Sequence, residues 1–162
     1  MAEINEKSIL TAGLLAGYAS KNKPLEVSRA GFLLKSSDYS GSEGKYHDEW
    51  AADFTGAGQE IGETPDGRKY TRVYGGGTVG LKELEKLGLT KKEVGGKLVS
   101  FIQKLGDKTR LDKNAEAVDG LWTYRYKVLK TLPSIPVEMG EEEIKYDGQL
   151  VFVHFHIFCP VT

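Results

Sequence analysis

The chain is poor in everything that would cross-link it or fix it to a charged surface. Of its 162 residues one is cysteine, Cys159, which excludes an internal disulfide framework and a cysteine-based zinc site. Neither sign of charge dominates: 22 Lys and Arg stand against 23 Asp and Glu, a net charge of -1. A polyanion binder must neutralise many phosphates, so nucleic acid is not expected as a partner. No apolar run approaches the roughly 20 residues of a membrane span, so no membrane partner is expected either. Ser8 to Ser20 has the length and apolar character of a signal-peptide core, but Glu3, Glu6 and Lys7 precede it where a basic region would stand. It reads instead as an amphipathic helix, Glu6 to Ser20, with Leu10, Leu14 and Tyr18 on one side. With no Asn-x-Ser/Thr acceptor, the expected setting is cytoplasmic.

What is present is the composition of one soluble globular domain over residues 1–162, with 40% hydrophobic and 28% charged residues. Three clusters of turn-forming residues punctuate it: Ser36 to Lys45, Gly62 to Lys69 with Pro65-Asp66-Gly67, and Tyr146-Asp147-Gly148-Gln149. All three predict links between strands. A short helix with Leu81, Leu84 and Leu87 ends at Gly88. A longer one follows: Thr90 and Glu93 make a capping box, Val94, Leu98, Phe101, Ile102 and Leu105 an apolar stripe, and Gly106 the stop. Gly95 and Gly96 inside it cost about 1 kcal/mol each relative to Ala, and close approach of a neighbouring backbone would compensate. The unequal helices and the absence of net basic charge argue against a helix-turn-helix DNA reader.

The chain also resembles itself. Glu60-Ile61, Asp66-Gly67 and Tyr70 to Tyr74 have counterparts in Glu143-Ile144, Asp147-Gly148 and Leu150 to Phe158. Upstream of each lies a strand with alternating aromatics, Tyr46, Asp48, Trp50 and then Trp122, Tyr124, Tyr126. The offset is 83 for the Glu-Ile pair and 76 for the aromatic strand. The expected fold is α+β: two pseudo-repeated α-β-β-β units, about 5–79 and 89–159, with antiparallel curved sheets packed around helices. In the last strand Val151, Val153, Phe155, Ile157 and Cys159 alternate with Leu150, Phe152, His154, His156 and Phe158. The wholly apolar set is expected to face the core. The histidine-bearing set, too apolar for open water, should line a cavity or an interface.

His154 and His156 point the same way and are a potential ligand pair. A third ligand would have to come from His47, Asp48 or Glu60, and two half-buried, hydrogen-bonded imidazoles are the simpler reading. No metal and no cofactor are expected. His47 and Asp48 fall on opposite faces of a strand and cannot form an acid-base pair directly. Asp48 between Tyr46 and Trp50 suits either a bound cation or hydroxyl group, or a hydrogen bond from a tyrosine. Glu60 and Glu143 are either paired carboxylates in one cleft or partners of Arg72, Arg125 or Lys127 across strands, and the latter is favoured. Gly75-Gly76-Gly77-Thr78 lacks the spacing and lysine of a phosphate loop, and reads as glycines that turn the chain out of the sheet. Cys159 reads as a buried, inert thiol.

The order Arg29, Tyr46-x-Asp48, Phe54-x-Gly56, Glu60-Ile61, Tyr74-Gly75-Gly76, then Trp122-x-Tyr124, Gly140, Glu143-Ile144 and Asp147-Gly148 resembles an uncharacterised bacterial domain family. Some of its members carry a helix-turn-helix domain. The resemblance spans about residues 8–158 and implies a sensor or ligand-binding module. The chain departs from it in the last strand, where His154-Phe155-His156 replaces a Tyr-x-Gly-Gly pattern.

Together these features point to a non-enzymatic domain that binds an unidentified small molecule in an aromatic-lined groove. Its expected walls are Tyr46, Trp50, Tyr74, Trp122, Tyr124, Tyr126, Phe152, His154 and His156, with Asp48, Glu60 and Glu143 as polar anchors. A small hydrolase or isomerase using a Glu/His pair is the alternative. A protein that forms a homodimer through its histidine-bearing strand face is a third.

Overall fold

Asp147 and Gly148 both adopt positive φ, 47° and 75°, and close a two-residue link between paired Tyr146 and Gln149. This is the turn geometry that matches the twist of a hairpin, and short links of this kind carry most of the chain. The computed structural model describes residues 8–20 and 22–162. Glu3, Glu6 and Lys7, and with them the expected start of the first helix, lie outside the described residues.

Helix α1 (Ser8–Ala16) leads into five strands: β1 (Leu25–Arg29), β2 (Phe32–Gly41), β3 (Gly44–Ala52), β4 (Thr55–Glu63) and β5 (Lys69–Thr78). Helices α2 (Leu81–Lys86) and α3 (Lys91–Leu105) then carry the chain to β6 (Ala115–Asp119), β7 (Trp122–Leu132), β8 (Val137–Tyr146) and β9 (Gln149–Val161). The described strands form one antiparallel nine-stranded sheet in the order β1-β2-β3-β4-β5-β9-β8-β7-β6. The first meander therefore runs inward from one edge, and the second starts at the far edge and returns, so β5 and β9 meet along the middle. The fold is α+β. Among the described residues no helix is long and apolar enough to cross a membrane.

The helices cover one face. Ile9 and Leu10 of α1 pack with Tyr46, Tyr70 and Phe158. Leu14 of α1, Leu84 of α2, and Val94, Leu98, Phe101 and Ile102 of α3 pack with Tyr124, Ile144 and Phe152. The capping box at Thr90 and Glu93 is formed, and Gly106 caps the C-terminus at φ 54°. Gly95 and Gly96 have no compensating neighbour, since a Cβ on either would meet nothing within 4 Å.

Three expectations need correction. Ser36 to Gly41 is strand and not loop, so the β2–β3 hairpin turns through Ser42 and Glu43 alone. Gly75, Gly76 and Gly77 do not leave the sheet; they pair with Phe155, His154 and Val153. Gly76 has φ 141°, and a side chain there would run into the Val153 carbonyl. The faces of β9 are reversed from the expected assignment. Val151 is buried as expected, but Phe152 pairs with Ile144 and Leu150 with Lys145, which leaves Val151 as the extra residue of a β-bulge. A bulge resets alternation. Beyond it His154, His156 and Phe158 turn towards the helices, while Phe155 and Ile157 are 49% and 39% exposed on the open face.

Candidate functional site

Alternation on β3 aims Tyr46, Asp48 and Trp50 at the helices, and all three are buried. The register then lines up Asp48 with Glu60 and Glu60 with Arg72 across β3, β4 and β5. Four residues further along β5, Gly76, His154 and Glu142 are partners across β5, β9 and β8. The middle of the sheet thus carries a band of ionisable groups under the helices. A charge in such a place must be paired.

The pairs are formed twice. Arg72 clasps Glu60, with Nη2 donating to Oε1 at 2.6 Å and Nε donating to Oε2. The Tyr46 hydroxyl adds a hydrogen bond of 2.8 Å to Oε1. Arg110, from the loop after α3, donates from Nε and Nη2 to the two oxygens of Glu142 at 2.8 and 2.7 Å. The Tyr124 hydroxyl donates to Glu142 Oε1 at 2.7 Å and is itself bonded to Thr109. Arg72 Nη1 donates to the Arg110 carbonyl at 2.9 Å and ties the two clusters together. Burial pushes both carboxyls up, but the guanidiniums win: Arg72 holds Glu60 below its ordinary range and Arg110 holds Glu142 well below.

Asp48 is treated differently. It has no arginine of its own, and its hydrogen-bond donor is the Tyr74 hydroxyl, 3.0 Å from Oδ1. Burial, then the neighbouring charge of Glu60, raise its carboxyl to about 7. A buried carboxyl that titrates near neutrality can hold or give a proton, and such groups concentrate at functional sites.

Asp48 faces a cavity of about 250 Å³ between α1, α3 and the sheet. Trp50, Glu60, Tyr74 and His154 of the expected site residues share its wall, joined by Phe152. The others do not reach it. Tyr46, Tyr124, Tyr126 and His156 are buried beside or behind it. Trp122 packs against Tyr146 at a tilt of 57°, with ring centroids 4.8 Å apart. Glu143 lies on the open face, bonded to Arg125 at 2.7 Å, as the cross-strand reading of the acidic run has it. The inward member of that run is Glu142. Arg110, which lines the cavity as well, carried no sequence signal: it sits in a loop with no periodicity, and only its positive φ of 61° marks the position as unusual.

His156 is buried and His154 half-buried, both without good partners. His154 Nδ1 and both nitrogens of His156 make no hydrogen bond. His154 Nδ1 stands 3.7 Å from Glu142 Oε2 and His156 Nε2 stands 3.5 Å from it, too far for well-made bonds. Leaving a buried polar group unsatisfied costs about 1–3 kcal/mol. Burial pushes His154 down to about 3, against the pull of the Glu142 carboxylate and with the help of Arg110, and it lowers His156 as well. This face lies under the chain's own helices, with His156 only 2% exposed.

No protein-family model, curated protein or solved structure matches this chain. What the site can do therefore rests on its own geometry.

Proposed function

We propose that the chain is a small-molecule-binding domain of sensor type, acting in the cytoplasm, whose ligand enters the cavity above β3, β4, β5 and β9. The observation that carries this reading is the meeting of Asp48, Tyr74 and His154 on the wall of a hollow that Leu14, Leu98 and Phe152 line together with the ion-paired Glu60 and Arg110. Apolar walls with a few convergent polar groups are the usual form of a ligand site. The volume of about 250 Å³ lies just below the roughly 300–1,000 Å³ of sites for drug-sized molecules. The ligand is accordingly metabolite-sized, with one hydrogen-bonding end at Asp48 and Tyr74 and an apolar end towards α3. The resemblance to a domain family that accompanies helix-turn-helix proteins agrees with a sensing role.

On this reading the two halves are related units meeting at the seam. Each half buries a carboxylate held by one tyrosine and one arginine, Glu60 by Tyr46 and Arg72 and Glu142 by Tyr124 and Arg110, although the arginines stand at different places in the chain order. A seam between repeats is a natural place for a cavity, because the packing there is set by two units and not by one.

A thermal-shift screen of the full chain against a set of metabolite-sized compounds tests the proposal. A ligand that binds only the folded state raises the melting temperature, and the stabilisation should be lost in Tyr74→Phe combined with Asp48→Ala. A second reading, an enzyme, is favoured by the placing of Asp48: a carboxyl in the cavity wall with a tyrosine hydroxyl as its donor and no arginine of its own, which burial raises to about 7. It replaces the pairing of Glu60 or Glu143 with a histidine expected from the sequence, because Arg72 holds Glu60 and Glu143 is bonded to Arg125 on the open face. If Asp48 is a general acid or base, Asp48→Asn keeps ligand binding and abolishes turnover of the identified ligand.

A further inference from the structure

We propose that Glu142, His154 and His156 form a binding site for a first-row divalent transition cation, of the zinc or cobalt type, in the wall of the cavity. The site shares only His154 with the proposed organic ligand site and needs no organic ligand to fill it.

One ligand atom from each of the three residues lies within 4.8 Å of the other two. Their placement is rigid. Glu142 and His154 are register partners on β8 and β9, and His156 follows two residues along the same inward face. A four-coordinate metal with bonds of about 2.1 Å keeps neighbouring ligand atoms about 3.4 Å apart. The separations of 3.7 Å from His154 Nδ1 and 3.5 Å from His156 Nε2 to Glu142 Oε2 are within a few tenths of an ångström of that. The remaining distance closes by rotation of the imidazoles about χ2, a soft torsion. His156 is 2% exposed and neither of its nitrogens has a partner, so a metal would satisfy a group that the protein leaves unbonded.

The charges nearby allow a cation. Arg110 and Tyr124 use both lone-pair directions of Glu142 Oε1 but only one of Oε2, which leaves Oε2 free towards the histidines. Arg110 then serves as the outer support that orients a ligating carboxylate. Its positive charge and that of Arg72 are offset by Glu60 and Glu142, and Asp48 lies on the same cavity wall. Two imidazoles with one carboxylate select transition metals over magnesium or calcium, which prefer oxygen. Three protein ligands leave a position open on the cavity side, where His154 reaches the lining, for water or a ligand group.

The test uses the untagged full chain, stripped with chelator and titrated with Co²⁺ alone, followed by its visible absorption, and then with Zn²⁺ in competition. The expected result is saturation at a single equivalent and displacement by Zn²⁺. His154→Ala and His156→Ala should each weaken binding by more than the roughly 10–100-fold that loss of an outer supporting group causes. His47→Ala, on the open face, should change nothing. Nitrogen NMR of the wild-type imidazoles gives a reading that does not depend on whether the variants fold: Zn²⁺ should move His154 and His156 and leave His47 in place. Absence of saturable binding, or binding that leaves both buried rings unmoved, overturns the proposal. With no organic compound present, that failure would leave the small-molecule reading intact.

Discussion

Arg110 and Glu142, 32 positions apart, meet in a two-bond fork of 2.8 and 2.7 Å at the buried centre of the sheet. Arg110 reaches it from a backbone held at φ 61°, a conformation that few side-chain-bearing residues adopt. The loop after α3 is thus fixed by an ion pair more than by its own conformational preference. Removing one partner of a buried pair strands the other charge and costs about 3–5 kcal/mol. Arg110→Leu should lose stability of that order in urea unfolding. Arg110→Leu with Glu142→Leu should lose clearly less than Arg110→Leu alone, since no charge remains uncompensated.

Asp48 gives the protein a definite pH dependence. Its carboxyl rises from an ordinary 3.8 to about 7 on folding. A raised value means that the folded state holds a proton which the unfolded chain has given up. The resulting stability is fully present below 3.8 and is lost as pH climbs through about 7. Between about pH 5 and about pH 9 the wild type should therefore lose about 3 kcal/mol more than Asp48→Asn, which has no proton to lose. Paired denaturation curves at the two pH values check this. Parallel behaviour of the two proteins would mean that Asp48 titrates as an ordinary carboxylate.

Gly95 links stability to the cavity. It lies within α3, lines the cavity, and has nothing within 4 Å of a would-be Cβ. Gly95→Ala should stabilise the fold by about 1 kcal/mol through helix propensity, measured as a higher unfolding midpoint. A glycine that costs stability and touches nothing is best explained by the room it leaves open.

Much of this arrangement could be read in the sequence, wherever a local rule decides. The Asp147-Gly148 turn, the Thr90-Glu93 cap and the inward alternation of Tyr46, Asp48 and Trp50 each follow from a few adjacent residues. The failures share a different cause. A bulge at Val151 has no signature in an apolar strand, yet it reverses every side chain after it, so simple alternation puts the histidines on the wrong face. Within Glu141-Glu142-Glu143 the inward residue is decided by register with β9, which alignment of Glu143 with Glu60 could not supply. Arg110 joins the site through a loop and a partner far away in sequence. No window of neighbouring residues contains that information.

The central claim is that the hollow beside Asp48 receives a small molecule. Two-dimensional amide NMR of the full chain against a library of metabolite-sized fragments, run on wild type and on Gly95→Met, tests it most directly. The account predicts a chemically related group of fragments that shift the amides of Tyr74, Gly76 and Gly95, with the effect abolished when a methionine side chain occupies the space. Fragments that never perturb those amides, or that bind Gly95→Met just as well, would contradict it.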